Sequence, residues 1–415
     1  MSVAEVTIER IAAGGDGIAR TENVVVFVPR SAPGDRARVK LDIRKRFARG
    51  EIVELLAPSA ERVTPPCGHY IADRCGGCQL QHIDYPAQLE AKRGIVRDAI
   101  TRIGKRSIEL PDIQPSAKEW RYRDKLTLAM RRAPGGPWVI GLHRYDDPVG
   151  VFQLVDCPIT DERVLAVWQQ VMAAQEHFPP ADELRASVRL VADGASIVME
   201  GGNAWTNRAT FFSAVPLATA LWWRPAHRAR SLVAERGNPA AGASFAQVNA
   251  GVGALLHEYV LARARAHRPA RLIDAYAGSG TTAIPLAHDG VHVVAIELDR
   301  EASARCAESL PEGSQAVAAR VEDVLPRALP ADVVLINPPR TGVHEDVAAA
   351  LERVATPPRA LIYVSCDPAT LGRDLARMPR YEIASMRTFD MFPQTAHVET
   401  VCELVPVRHR EGAAA

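Results

Sequence analysis

The sequence lacks several features that would assign it to a particular class of protein. It has no run of about 20 apolar residues, so no membrane-spanning helix is expected. Its first residues lack the basic and then apolar layout of a signal peptide, and we expect a cytoplasmic protein. The 50 Lys and Arg nearly cancel the 49 Asp and Glu, so net charge says nothing about nucleic-acid binding. The 415 residues leave room for two or three domains with buried cores.

Cysteine is scarce, and an odd total of seven argues against a disulfide framework. Cys67, Cys75 and Cys78 form a C-x7-C-x2-C pattern, and Cys157 lies far downstream, followed by Pro158. Four thiolates in a cytoplasmic chain suit either a structural zinc ion or a [4Fe–4S] cluster. Paired Cys-x2-Cys motifs favour zinc, whereas three clustered cysteines with a distant Cys-Pro favour iron–sulfur. The spacing alone leaves both alternatives open.

Residues 1–59 have the pattern of a small all-β domain. Apolar residues alternate with charged ones from Ala37 to Ile43, which is the period of a half-buried strand. Further strand candidates are 23–28 and 51–56, and Gly-rich turns separate them. Short strands with such turns predict a barrel of the OB type.

Residues 60–243 are expected to form an α+β middle domain that contains the cysteine cluster. Strands are predicted at 125–130, 138–142 and 187–191. The stretch 92–132 holds twelve Lys and Arg against five acidic residues, an excess of +7 that would attract a phosphate backbone. A solvated helix face would account for the same charges. Residues 222–243 are rich in Arg, Ala, Gly and Pro and are interpreted as a connector.

Residues 244–415 alternate between apolar, β-rich runs and segments of helix length. This layout predicts an α/β domain with a doubly wound, Rossmann-like and mostly parallel sheet. Ligands of such sheets bind beyond the carboxyl ends of the strands. The predicted strands are 271–276, 292–297, 332–336 and 360–365.

A glycine-containing loop follows the first of these strands, with Gly278 and Gly280 ahead of a helix. Glu297 closes the next strand, where a carboxylate can accept hydrogen bonds from two ribose hydroxyls. A dinucleotide fingerprint would place a third glycine at position 283, which is Ala. Together with Asp323 and the Asn-Pro-Pro that starts at Asn337, the loop favours S-adenosylmethionine over NAD.

Two residues near the C-terminus suit covalent catalysis on a pyrimidine ring. Cys366 follows a predicted central strand and precedes a helix, and we expect the amide dipoles of that helix to lower the pKa of the thiol. Glu399 lies in a terminal strand or hairpin. A thiolate that adds to carbon 6 activates carbon 5 for methylation, and a base then removes the carbon 5 proton. We assign Cys366 as the nucleophile and Glu399 as the base, and expect Cys306 and Cys402 to be buried.

These motifs occur in an order that resembles the RNA uracil-C5 methyltransferase family over nearly the whole chain. Residues 1–59 are similar to a TRAM domain, an RNA-binding barrel. The motifs that carry the family resemblance are Phe245-Ala246-Gln247-Val248-Asn249, the glycine loop, Asn337-Pro338-Pro339-Arg340, Ser365-Cys366-Asp367-Pro368 and His397-x-Glu399. Those that carry the TRAM resemblance are Gly14-Gly15-Asp16-Gly17, Phe27-Val28-Pro29 and Pro33-Gly34-Asp35.

The resemblance implies an S-adenosylmethionine-dependent enzyme that methylates a uridine in RNA, with 23S ribosomal RNA favoured over transfer RNA. It implies that a [4Fe–4S] cluster binds the four cysteines, and we expect a monomer. Thr281 stands where Asn is usual in the family, and Asn337 stands where Asp is frequent. The residues implied to border the cofactor are Gln247, Tyr276, Gly278, Gly280, Thr281, Glu297, Asp323 and Asn337.

Three other functions are compatible with parts of this pattern. Cytosine-C5 methylation of RNA uses the same addition chemistry. Radical methylthiotransferases combine a TRAM-like barrel with an iron–sulfur cluster, but their C-x3-C-x2-C motif is absent and Cys366 and Glu399 would have no role. A non-catalytic iron–sulfur protein that binds RNA is the alternative outside enzymes.

Overall fold

The computed structural model describes residues 2–22, 24–237 and 247–407. Its strands form three sheets of six, seven and eight strands, which follow one another approximately along the chain. Phe245 and Ala246, the first residues of the Phe-x-Gln-x-Asn motif, lie outside the described residues.

The first sheet is formed by the N-terminal residues that were predicted to be all-β. The predicted alternation is confirmed from Ala37 to Leu41, where Ala37, Val39 and Leu41 are buried and the charged residues between them are exposed. It was wrong at its end, because Ile43 is exposed. The strand order is β1-β5-β6-β4-β3-β2. The strands are β1 Ser2–Thr7, β2 Arg10–Ile11, β3 Gly17–Arg20, β4 Val25–Val28, β5 Arg36–Ile43 and β6 Phe47–Ala57.

The second sheet lies in the middle part of the chain and has the order β10-β9-β8-β11-β12-β13-β14. The elements from this part of the chain are α1 Gly68–Ile71, α2 Tyr85–Arg102, β7 Asp112–Gln114, β8 Lys125–Arg131, β9 Val139–His143, β10 Val151–Gln153, α3 Glu162–Ala173, β11 Glu183–Val191, β12 Gly194–Glu200, α4 Arg208–Ala214, β13 Ala218–Arg224 and β14 Ser231–Glu235. The interpretation of 222–243 as a connector was wrong for its first part, because β13 ends there and β14 pairs with it at the sheet edge. Residues 238–243 lie outside the described residues.

The third sheet confirms the doubly wound α/β prediction. Its order is β17-β16-β15-β18-β19-β21-β20-β7, and the strands from β17 to β19 run parallel. The elements are α5 Ala250–Ala266, β15 Arg271–Ala275, α6 Ala283–His288, β16 His292–Glu297, α7 Arg300–Ser309, β17 Gln315–Ala318, α8 Val321–Ala328, β18 Val333–Ile336, α9 Glu345–Arg353, β19 Ala360–Ser365, α10 Pro368–Ala376, β20 Tyr381–Phe389 and β21 Glu399–Pro406.

The third sheet and its helical layer also include two elements, β7 and α2, that lie more than 150 residues earlier in the chain than β15. The short strand β7 pairs in parallel with β20 at the sheet edge. Helix α2 packs against α10 so closely that a Cβ on Gly372 would lie 2.8 Å from the Ala99 carbonyl oxygen. Val96 and Ile100 of α2 belong to the same hydrophobic cluster as the core of this sheet. The α/β unit therefore includes residues from α2 and β7.

None of the helices in the described ranges combines the length and apolar character needed to cross a membrane.

Candidate active site

The carboxyl ends of the parallel strands meet at one edge of the third sheet. Strand β15 pairs in parallel with β16 and β18, and β18 pairs in parallel with β19. The glycine loop, Glu297, Asn337 and Cys366 therefore emerge at the same edge, where ligands of doubly wound sheets bind.

The glycine loop adopts left-handed backbone conformations that hold its amides in place. The φ angles are 67° at Tyr276, 57° at Gly278 and 87° at Gly280. The Gly278 N–H donates to Glu297 Oε2 at 2.9 Å, and the Asp299 N–H donates to Glu297 Oε1 at 2.8 Å. Glu297 is thus held against the loop, and each carboxylate oxygen retains acceptor capacity for a ligand hydroxyl.

Gly280 is required by packing as well as by its φ angle. A Cβ at this position would lie 2.5 Å from Cys306 Sγ and 2.8 Å from Ile284 Cδ1. Cys306 is fully buried, as expected for a small core residue. At Gly278, by contrast, a Cβ would meet no atom within 4 Å.

The remaining predicted cofactor residues have different surroundings. The Thr281 carbonyl lies 2.9 Å from His257 Nε2 of α5, which fixes that helix against the loop. Asn337 is exposed directly after β18, and its N–H donates to the Ala275 carbonyl at 3.3 Å. Asp323 is exposed in the first turn of α8. Gln247 precedes α5 and lies against Gly253 of that helix.

Sequence reasoning missed Asp274, which lies in β15 just ahead of the loop. It is buried, and burial raises the pKa of its carboxyl to about 7, with the charge of Glu297 adding to the effect. Its Oδ2 atom has no hydrogen-bond partner among the described residues. A buried polar atom without a partner is unfavourable, so this oxygen suits a donor on a bound cofactor. The signal available in the sequence was a carboxylate four residues before Gly278.

The sheet register brings Cys366 and Glu399 together. Strands β19 and β21 are antiparallel, and Ser365 is paired with Thr400. Cys366 and Glu399 are the residues next to this last pair, and the charge of Glu399 acts on the Cys366 thiol, so the two side chains lie near each other. All seven cysteines lie in the described ranges, and Cys366 alone among them is not buried.

The pKa values of Cys366 and Glu399 are both shifted, because the first side chain is partly buried and the second is buried. Burial raises the pKa of Glu399 to about 7, against an opposing effect of the Arg340 guanidinium. Burial also raises the pKa of the Cys366 thiol, and the charge of Glu399 raises it further. The expected lowering by the start of α10 was therefore wrong. The Asp367 carboxylate caps that helix through the Thr370 N–H at 2.8 Å, and its own negative charge opposes the dipole.

Arg340 is the cation of this site. It belongs to the Asn337-Pro338-Pro339-Arg340 motif, and nothing in the sequence indicated its role. Its positive charge lowers the pKa of Cys366, Glu399 and His397, although burial is the largest effect on all three. The arrangement therefore combines a thiol, a carboxyl group that titrates near neutrality, and an exposed guanidinium. A nucleophile, a base and a cation are the groups that addition to a uracil ring requires.

The four predicted cluster cysteines border one cavity of about 150 Å³. Burial raises the pKa of Cys75 to about 11, and the charges of Cys157 and Cys67 add to it. In the described part of the chain, no set of three or more His, Cys, Asp or Glu side chains is arranged to hold a metal ion as it stands. The four thiols therefore border the same cavity, but they are not arranged as the ligands of a single metal ion.

Comparison with known families gives two matches along the chain. Residues 2–53 match the TRAM domain, and residues 306–405 match the tRNA (Uracil-5-)-methyltransferase family. The second match includes Cys366 and Glu399. The tRNA (uracil-54, C5)-methyltransferase of Pyrococcus abyssi, solved with S-adenosyl-L-homocysteine, has the same fold. The TM-score is 0.70 at 21% identity, over 97% of this chain and all of that one.

Two relatives match over almost their full length. The chain is 32% identical to an uncharacterised RNA methyltransferase of Thermosynechococcus vestitus, over 96% of this chain and 97% of that protein. It is 33% identical to the 23S rRNA (uracil(1939)-C(5))-methyltransferase RlmD of Chromohalobacter salexigens, over 95% of this chain and 88% of that protein. The chain therefore belongs to the family of S-adenosylmethionine-dependent RNA (uracil-C5) methyltransferases.

Proposed function

We propose that this enzyme methylates carbon 5 of a uridine in 23S ribosomal RNA through a transient bond between Cys366 and carbon 6 of the ring. The observation that carries the proposal is the pairing of Ser365 with Thr400 at the end of β19 and β21, because the half-buried thiol of Cys366 and the buried carboxyl group of Glu399 lie directly beside this pair. Both lie at the sheet edge that holds the glycine loop and Glu297. The similarity to an RlmD protein supports ribosomal RNA as the substrate.

The first step is the addition of Cys366 to the uracil ring. Its Sγ forms a bond to carbon 6, and the electron pair of the C5–C6 double bond moves towards O4 to give an enolate. Burial and the charge of Glu399 raise the pKa of the thiol in the free protein, which opposes its ionisation. A cationic methyl donor and Arg340 favour the thiolate, so the thiol is expected to lose its proton to solvent once donor and RNA are bound.

The second step joins the methyl group to carbon 5 and releases the enzyme. Carbon 5 attacks the methyl carbon, and the bond from that carbon to the donor sulfur breaks to leave S-adenosylhomocysteine. Glu399 then takes the proton from carbon 5, and the bond between carbon 6 and Cys366 Sγ breaks as the ring double bond returns. A pKa of about 7 suits a base that works near neutral pH.

The cofactor would occupy the edge formed by the glycine loop. Gly278, Gly280 and Tyr276 supply backbone shaped for close approach, and Glu297 supplies acceptors for ribose hydroxyls. The residues proposed to complete the cofactor site are Gln247, Thr281, Asp323 and Asn337.

The RNA must present its uridine unstacked, because carbon 6 is not accessible to Cys366 inside a helix. Part of the basic stretch is not available to bind it. Lys92 is fully buried, and Arg106 donates to three backbone carbonyls. Tyr122, an aromatic residue of the same stretch, is also buried and is therefore not available to stack on a base. Exposed cations such as Lys105 and Lys118 are the members of this stretch that we assign to the phosphate backbone.

We further propose that Cys67, Cys75, Cys78 and Cys157 hold a [4Fe–4S] cluster with a structural role, because the methyl transfer needs no electron. Support comes from the four thiols around one cavity. Burial raises the pKa of Cys75 and Cys78, and the charges of neighbouring thiolates raise it further, so a cationic cluster core would favour their ionised form. Binding would require the side chains to turn towards the shared cavity.

The function is tested with tritiated S-adenosylmethionine and total RNA from a strain that lacks the gene. We expect label in 23S ribosomal RNA and 5-methyluridine in its hydrolysate. Label in transfer RNA would contradict the ribosomal assignment, and 5-methylcytidine would contradict the base. RNA without label would favour a non-catalytic RNA-binding protein.

A further inference from the structure

The loop of residues 390–398, named here the base loop, connects β20 to β21 and leads directly into Glu399. Phe389, the last residue of β20, is paired with Glu399 in the sheet register. Both ends of the base loop therefore lie next to the proposed base. A shift of the loop would move Glu399 relative to the ring that Cys366 holds.

Lys92 of α2 makes two contacts with the first residues of the base loop. Its ammonium donates to Asp390 Oδ1 and, at 2.9 Å, to the Phe392 carbonyl oxygen. The side chains of Lys92 and Asp390 are both fully buried. A buried ammonium needs such partners because it has lost its water. This ion pair joins residues 298 positions apart in the chain.

A second pair of contacts holds the middle of the base loop. The Gln88 amide donates to Gln394 Oε1 at 2.9 Å, and the Gln394 N–H donates to Gln88 Oε1 at 3.0 Å. Gln394 has a φ of 69°, a left-handed conformation that is unfavourable for a residue with a side chain. Gln88 and Lys92 are one helical turn apart on α2, so two side chains on the same face of that helix hydrogen-bond to the base loop.

The other half of α2 packs against α10, the helix that follows Cys366. Gly104, just after α2, and Ala99 lie against Gly372. Leu371 and Leu375 share a hydrophobic cluster with Val96 and Ile100. One continuous helix therefore contacts the helix that follows Cys366 and the loop that precedes Glu399.

We propose that Lys92 is a positioning residue for the base step, which it serves by fixing the base loop, and thereby Glu399, through Asp390 and the Phe392 carbonyl. This inference rests on the proposed role of Glu399. Lys92 itself does not touch the reacting atoms; its effect passes through the loop backbone.

The decisive variant replaces both members of the ion pair, as Lys92→Met with Asp390→Leu. Replacement of a buried ion pair by apolar residues of similar size is often neutral for stability, so the protein is expected to fold while the tether to Phe392 is lost. Lys92→Met alone would leave a buried carboxylate without its cation and is expected to unfold more readily.

The readout separates the base step from binding and from methyl transfer. We expect kcat to fall about 10- to 100-fold, as for a small misplacement of a catalytic group, while the KM for RNA changes less than about threefold. Methylated RNA should accumulate as a covalent adduct on denaturing gels, and tritium release from RNA labelled at carbon 5 of uridine should lag behind methyl incorporation. Gln88→Met should show the same effects more weakly.

Two parallel variants make the result interpretable. Arg263→Met disturbs a different ion pair, with Glu403 further along β21, and should give no adduct. Glu399→Gln should give the adduct in full; if it does not, the base assignment fails. If Glu399→Gln traps RNA while the folded double variant turns over at the normal rate, the positioning role of Lys92 is overturned. A double variant that does not fold would also overturn it, because the pair would then serve stability alone.

Discussion

Replacing Glu399 by Gln removes the proposed base and a buried charge in one substitution. The carboxyl group of Glu399 has a pKa of about 7 in the folded protein, against 4.5 for an ordinary glutamate. A pKa raised on folding favours the folded state at pH below 4.5, and that advantage is lost as the pH rises through 7. Each pH unit is worth about 1.4 kcal/mol, so the ionised group destabilises the fold by roughly 3 kcal/mol above pH 7.

Glu399→Gln should therefore match the parent protein in stability near pH 4.5 and exceed it at pH 8, by up to roughly 3 kcal/mol. Thermal unfolding across this pH range measures the difference. Asp274→Asn is a matched control, because burial also raises the pKa of Asp274 to about 7. It should gain stability in the same window.

Activity should distinguish these two variants. Glu399→Gln is expected to lower turnover about 10²- to 10⁴-fold, as loss of a general base does, and to accumulate the covalent RNA adduct. Asp274→Asn should accumulate none, because it leaves the base in place, and its effect on activity should appear instead as weaker binding of S-adenosylmethionine. Normal turnover by Glu399→Gln, or a stability difference that does not grow with pH, would refute the reasoning.

Three further outcomes are expected. Cys366→Ala should abolish methyl transfer and adduct formation while S-adenosylmethionine still binds in calorimetry; residual transfer at the parent rate would contradict the nucleophile assignment. Gly280→Ala should lower the free energy of unfolding in urea titrations by about 2–4 kcal/mol, because it combines a left-handed φ with a clash against buried Cys306. Gly278→Ala, where a Cβ meets no neighbouring atom, should lower it by only about 1–2 kcal/mol. Protein purified without oxygen should be brown and contain iron, and Cys157→Ser should lose both properties; a colourless preparation with zinc would contradict the cluster.

The sequence was sufficient to predict elements whose signal is local. Strands β16 and β19 lie where their apolar, β-rich runs predicted them. Strand β14 was missed because a short, half-exposed edge strand in an Arg-rich stretch has little apolar signal. The sequence placed Cys366 and Glu399 in neighbouring motifs but could not give their register, which depends on the antiparallel insertion of β21 beside β19.

Long-range contacts were beyond the sequence for a physical reason. Lys92 resembled a member of a solvated basic face, because nothing near it in the chain indicates that Asp390 and Phe392 would surround it. The direction of the Cys366 pKa shift was missed for the same reason. It depends on burial and on Glu399, which the fold supplies from elsewhere, rather than on the adjacent helix.

The insertion of α2 and β7 into the α/β unit bears on how the enzyme can be divided. A fragment starting near residue 247 would leave the edge of β20 without its partner and would uncover the apolar surface of α10. It would also release the base loop from Lys92 and Gln88. The chain therefore cannot be divided into separate domains by a single cut before the α/β unit. A minimal catalytic fragment should also contain residues 84–114, either fused to it or added as a separate peptide.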